Sequence, residues 1–95
     1  MAHCPPELLD DLGDLFAEVR TWPAMVQKKC GVFYVRREPF LHFHVDSDGR
    51  RHADVKGHAG WARHDLPRPV SATRRRAFLG ELRRRYAEKS PRSPR

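Results

Sequence analysis

Hydrophobic and polar positions follow two different rhythms along the chain. Over residues 6–20, Leu8, Leu9, Leu12, Leu15, Phe16 and Val19 recur with a period near 3.6 and share one face of a helix. Glu7, Asp10, Asp11, Asp14 and Glu18 occupy the opposite face, several of them in the half where the helix dipole favours acids. Pro5 and Pro6 stand where a first turn tolerates proline, and Pro23 closes the segment just after Trp22. Residues 24–29 are ambiguous between a short turn and an edge segment. From Gly31 the period becomes two. It predicts strands over 32–36 and 40–46, broken at Glu38-Pro39, a third over 50–56, and a short fourth over 61–66 that Pro67 and Pro69 end. A second helix is expected over 72–88, with Ser71 as N-cap and Phe78, Leu79, Leu82 and Tyr86 as its apolar stripe.

These elements assemble most simply as α-β-β-β(-β)-α. The fold class is α+β: an antiparallel three- to four-stranded meander with an N-terminal and a C-terminal helix packed on one face. Residues 1–88 form one domain. Residues 89–95, which hold Ser-Pro-Arg twice, read as a disordered basic tail.

The register of the central hairpin follows from its turn. Asp46-Ser47-Asp48-Gly49 reads as a type I turn closed by a glycine bulge, because glycine takes the left-handed conformation that position needs. Val45 then faces Arg51, Phe43 faces Ala53 and Leu41 faces Val55 on one side of the sheet. The other side pairs His44 with His52 and His42 with Asp54. A register shifted by one would put His52 and Asp54 in the core, which burial disfavours. For the preceding hairpin, a loop at Arg37-Glu38-Pro39 sets Val35 opposite Leu41 and Phe33 opposite Phe43, with Tyr34 beside His42.

Tyr34, His42, His44, His52 and Asp54 are therefore expected to converge on one sheet face. Three imidazoles and a carboxylate, His42, His44, His52 and Asp54, suit a divalent first-row metal such as Zn²⁺. The same groups suit acid–base catalysis. They equally suit a polar face that meets water, a ligand or a partner. Leu41-His42-Phe43-His44-Val45 also resembles part of the histidine-triad nucleotide hydrolase motif, over five positions, with Phe40 standing where a further histidine belongs. His3, His58 and His64 read as isolated. Trp22 continues the stripe of the first helix, and Trp61 begins the last strand, where it would close the sheet edge.

Charge adds a second theme. The net charge is +7, and residues 48–95 carry 14 basic against 5 acidic side chains, whereas residues 1–47 carry 5 against 7. Such asymmetry fits a polyanionic partner. Arg74, Arg76, Arg83 and Arg84 are the candidate phosphate contacts, but a helical wheel spreads them round the helix, and no helix-turn-helix, zinc-finger or RNA-binding sheet motif is present. Cys4 and Cys30 are the only cysteines, so a disulfide framework and a four-cysteine zinc site are excluded. No apolar run has the length of a leader or a membrane span, and the chain reads as cytoplasmic.

Three functions follow as expectations. The first is a binding module whose open, histidine-rich face takes a ligand, a protein partner or a second copy as a homodimer. The second is an enzyme, metal-dependent or acid–base, using the same cluster. The third is a basic protein associated with nucleic acid.

Overall fold

The computed structural model describes residues 2–89. Five strands run as an antiparallel meander: β2 (Met25–Lys29), β3 (Val32–Val35), β4 (Glu38–Val45), β5 (Arg51–Gly57) and β6 (Gly60–Asp65). A two-residue strand, β1 (Ala2–His3), pairs with the far end of β4. One face is covered by helix α1 (Gly13–Val19) and helix α2 (Ala72–Lys89), so the fold is α+β with its helices at the two ends of the chain. The sheet has one full strand more than expected, because the ambiguous segment becomes β2. Lys89 belongs to α2, and residues 90–95 of the expected tail lie outside the described residues.

The core lies between the helices and one sheet face. Phe33, Phe40, Leu41, Phe43, Ala53 and Val55 supply the sheet side. Leu12, Leu15, Phe16, Val19, Phe78 and Leu82 close over them. Phe16 sits between Phe33 and Phe43, with ring centroids 5.6 and 5.5 Å away. Phe78 meets Phe43 edge-on. At the far end of α2, Tyr86 packs on Trp22 and its hydroxyl donates to the Pro23 carbonyl at 2.6 Å. The Ser71 cap is made, its hydroxyl accepting from the Arg74 amide at 3.1 Å.

The first helix is shorter than its periodicity predicts. Residues 6–8 and 10–12 form separate 3₁₀ turns, and only Gly13–Val19 is α-helical. The physical reason is Arg51. It stands on the core side of β5 and is 4% exposed. Its guanidinium takes the Leu8 carbonyl at 2.8 Å, and the Leu12 amide donates instead to Leu9 at 3.1 Å. Arg51 also holds Asp11 through two bonds of 2.6 and 2.9 Å and the carbonyls of Leu66 and Pro67. All five of its donors are satisfied. Asp11 accepts in addition from the Val70 amide at 2.7 Å. One buried ion pair thus ties the N-terminal segment, β5 and the loop leading to α2.

The central hairpin has the expected register: Leu41 faces Val55, His42 Asp54, Phe43 Ala53, His44 His52 and Val45 Arg51. Gly49, at φ 86°, closes its turn with its amide on the Asp46 carbonyl at 2.9 Å. The β3–β4 hairpin differs from expectation. Its loop is the pair Arg36-Arg37, both at positive φ, 51° and 73°, which is the type I′ arrangement. Val35 therefore faces Glu38, not Leu41, and Phe33 faces Leu41, not Phe43. A bulge at Phe40 then absorbs one residue, since Tyr34 pairs with Pro39 while Phe33 pairs with Leu41. The bulge turns both Phe40 and Leu41 into the core.

Removing the guanidinium would strand the Asp11 carboxylate and three carbonyls. Arg51→Met is expected to lower unfolding stability by about 3–5 kcal/mol in a urea titration. The Arg51 hydrogen bond also holds the Asp11 carboxyl below its ordinary value, with the Val70 amide adding to the effect. A depressed native value contributes stability that is complete above the unfolded pKa, about 4, and is lost as pH falls through the native one. Asp11→Asn is therefore expected to be less stable at neutral pH and to show a shallower loss of stability below pH about 4.

Candidate binding face

The second face of the sheet carries no helix. Side chains directly opposite in antiparallel strands point the same way, so the register orders this face into rows. One row runs His3, His44, His52, Asp65 across β1, β4, β5 and β6. The next runs Val32, His42, Asp54, Arg63 across β3 to β6. Beyond it, Lys56 faces Trp61, and Val26 faces Tyr34.

The five residues singled out from sequence do come together. The His44 and His52 rings lie 5.4 Å apart, His42 and His44 5.9 Å, and Tyr34 and His42 6.2 Å. His44 Nε2 is 3.4 Å from Asp54 Oδ2. His52 is only 1% exposed, yet it lies on the open side opposite His44, with Nδ1 3.5 Å from Asp46 Oδ1. Neither of its ring nitrogens, nor Nε2 of His42, has a hydrogen-bond partner among the described residues.

Two members escaped the sequence reading. His3 is not isolated, because β1 sets it opposite His44. Its ring Nε2 donates to the Cys30 carbonyl, 3.3 Å away. Trp61 does not merely close an edge. Its ring leans across β5 to within 5.4 Å of His42. Alternation held the signal for Trp61, since Trp61, Arg63 and Asp65 share a parity and the latter two are charged. His64 has the other parity and packs on Phe78 beneath α2, with Glu81 3.8 Å away.

The imidazoles lie in rows and do not converge on one point. Among the described residues, no three histidine, cysteine or acidic side chains are arranged to hold a metal ion, so the zinc expectation gains no support from the geometry. What the face does form is a shallow concavity of about 330 Å³ between His42, Asp54, Trp61 and Arg63. The helix arginines do not make a comparable surface. Arg83 pairs with Glu18, Arg84 with Glu81 and Glu88, and Arg74 donates to the Asp65 carbonyl.

Burial holds His42 below the ordinary imidazole value, His44 adding repulsion and Asp54 opposing it. Burial does the same to His44, with Asp54 opposing and His52 and His3 reinforcing. Both shifts favour the neutral ring.

Comparison with protein-family models, with curated proteins and with solved structures returns no match. The likeness to the histidine-triad motif stays at five positions, and Phe40, at the place of the further histidine, is fully buried in the core. Among the described residues, no helix is long and apolar enough to cross a membrane.

The lowered imidazole values fix the sign of a pH effect. Between the unfolded value, about 6.5, and the lower native ones, the unfolded chain binds more protons, so stability falls as pH drops through that window. His42→Gln with His44→Gln is expected to reduce this slope in chemical denaturation between pH about 7 and 5. An unchanged slope would mean that these rings titrate normally.

Proposed function

We propose that this protein is a binding module and that its helix-free sheet face is the binding surface. One observation carries the reading. The exposed large apolar side chains of the described chain are Val26, at 50%, and Trp61, at 46%, and both stand on this face. One stands on each outer strand of the same uncovered face, so a partner that spans the sheet would bury both.

The rest of the face supports the same reading. Tyr34, His42, His44, His52 and Asp54 form a polar and aromatic strip between the two exposed anchors. Aromatic rings with a polar edge are enriched where one surface meets another. The module would act in the cytoplasm, where the free thiols Cys4 and Cys30 stay reduced.

Amide chemical shifts of the ¹⁵N-labelled full chain test this. Two series are needed: dilution of the protein alone, and addition of an oligouridine of roughly 12 nucleotides. The expected result is that at least one series moves resonances at Tyr34, His42, His44, Asp54 and Trp61 ahead of all others. Silence in both, or shifts confined to the outer side of α2, would overturn the reading.

A further inference from the structure

The open face has a composition that narrows the choice of occupant. Tyr34, His42 and Trp61 form a chain of neighbouring rings, with successive centroids 6.2 and 5.4 Å apart. The two outer rings each carry a lysine. Lys28 Nζ is 5.4 Å from the Tyr34 centroid, and Lys56 Nζ is 5.7 Å from that of Trp61. Lys29 projects from the neighbouring position of β2, facing Val32. The hairpin of Arg36 and Arg37 lies at the β3–β4 end of the sheet.

Each ammonium stands over its ring on a flexible four-carbon stem, so a base that takes the ring face would leave the ammonium to meet the adjoining phosphate, one repeating unit of a nucleic acid. Three lysines of the chain's four lie here, on a molecule of net charge +7. Against them stand Asp54 and Asp65. A second copy of the chain would bring lysines against lysines, so charge disfavours self-association through this face. A base-paired duplex is disfavoured for another reason: its base faces are already stacked and cannot reach a sheet. Unpaired bases can.

The concavity between His42, Asp54, Trp61 and Arg63 adds a reading of the base edge. It has a ring wall, a carboxylate that accepts and a guanidinium that donates. A carboxylate accepts from an exocyclic amino group or from a ribose 2′-hydroxyl. Unpaired, splayed bases are the usual state of RNA loops and ends, and DNA reaches it only when its duplex is opened.

Resting on the binding-face reading, we propose that the occupant is single-stranded RNA: Trp61 and Tyr34 stack on bases, Lys28, Lys29 and Lys56 meet phosphates, and Asp54 accepts from the nucleotide over the concavity. Stacking platforms flanked by lysine and arginine bind single strands with little sequence preference and with strong salt dependence.

Fluorescence anisotropy with the full chain and labelled probes of roughly 12 nucleotides decides it: oligouridine, oligothymidine and a DNA duplex. Oligouridine is expected to bind most tightly and the duplex most weakly. Trp61→Ala should weaken oligouridine binding by about 5- to 140-fold, the worth of one stacked base, and Trp61→Phe should restore most of it. Lys56→Ala should reduce the slope of log affinity against log salt by about 0.7. Arg75→Ala, in the groove between α1 and α2 on the other side of the sheet, should leave affinity unchanged. A thermal melt of each variant separates lost binding from lost folding.

Tighter binding of the duplex or of oligothymidine overturns the proposal. So does a folded Trp61→Ala variant that binds like the parent. No binding of any probe also overturns it. In that case the binding-face reading still stands if dilution alone moves the open-face resonances, and falls with it if dilution moves none.

Discussion

A guanidinium buried on the helix side of the sheet organises this molecule. Arg51 sits where the alternation of β5 asks for an apolar residue, opposite Val45. Burying an arginine is tolerable only when its charge is paired and every N–H is used. Both conditions hold, and meeting them recruits two stretches of chain that are distant in sequence from β5. The consequence reaches the other face. With Arg51 fixed inward, the two-residue period of the strand leaves His52, Asp54 and Lys56 no orientation but outward. The clamp thus sets the register in which the imidazoles meet.

How much of this was legible in the sequence depends on whether the deciding group was local. Gly49 marks its turn directly, so the β4–β5 register and the grouping of His42, His44, His52 and Asp54 could be read from neighbours in the chain. The β3–β4 hairpin could not. Its turn places two arginines in a conformation that glycine and asparagine usually fill, and nothing about Arg36-Arg37 announces it. The bulge at Phe40 was equally silent, because a run of two apolar residues fits either an ordinary strand or a bulged one. The N-terminal helix failed for a third reason. Its periodicity is sound, but a partner from 40 residues away competes for its carbonyl and carboxylate. β1 is too short to carry a pattern, and so His3 looked solitary.

The two faces divide the chemistry of the chain. Three of the six arginines of α2 are occupied with acids: Arg83 with Glu18, Arg84 and Arg85 with Glu81. Exposed pairs of this sort add little stability, but they draw positive potential away from the helix side. On the sheet side, lysines stand over rings with few acids near. The positive excess of the second half of the chain is therefore a poor guide to where charge is available. Lys28 and Lys29, from the acidic half, border the aromatic strip as Lys56 does.

Those two lysines also bear on how the molecule keeps to itself. β2 is an outer strand of the sheet, and an outer strand offers bare amides and carbonyls to any passing chain. Here the ladder slips between Gln27 and Lys29, so Lys28 is an extra residue, and both lysines are exposed. An irregular, doubly charged border is a poor template for another strand. Growth by lateral strand addition, the usual road from a small sheet to fibrils, is discouraged at this margin, and the protein can keep sticky rings uncovered without polymerising there.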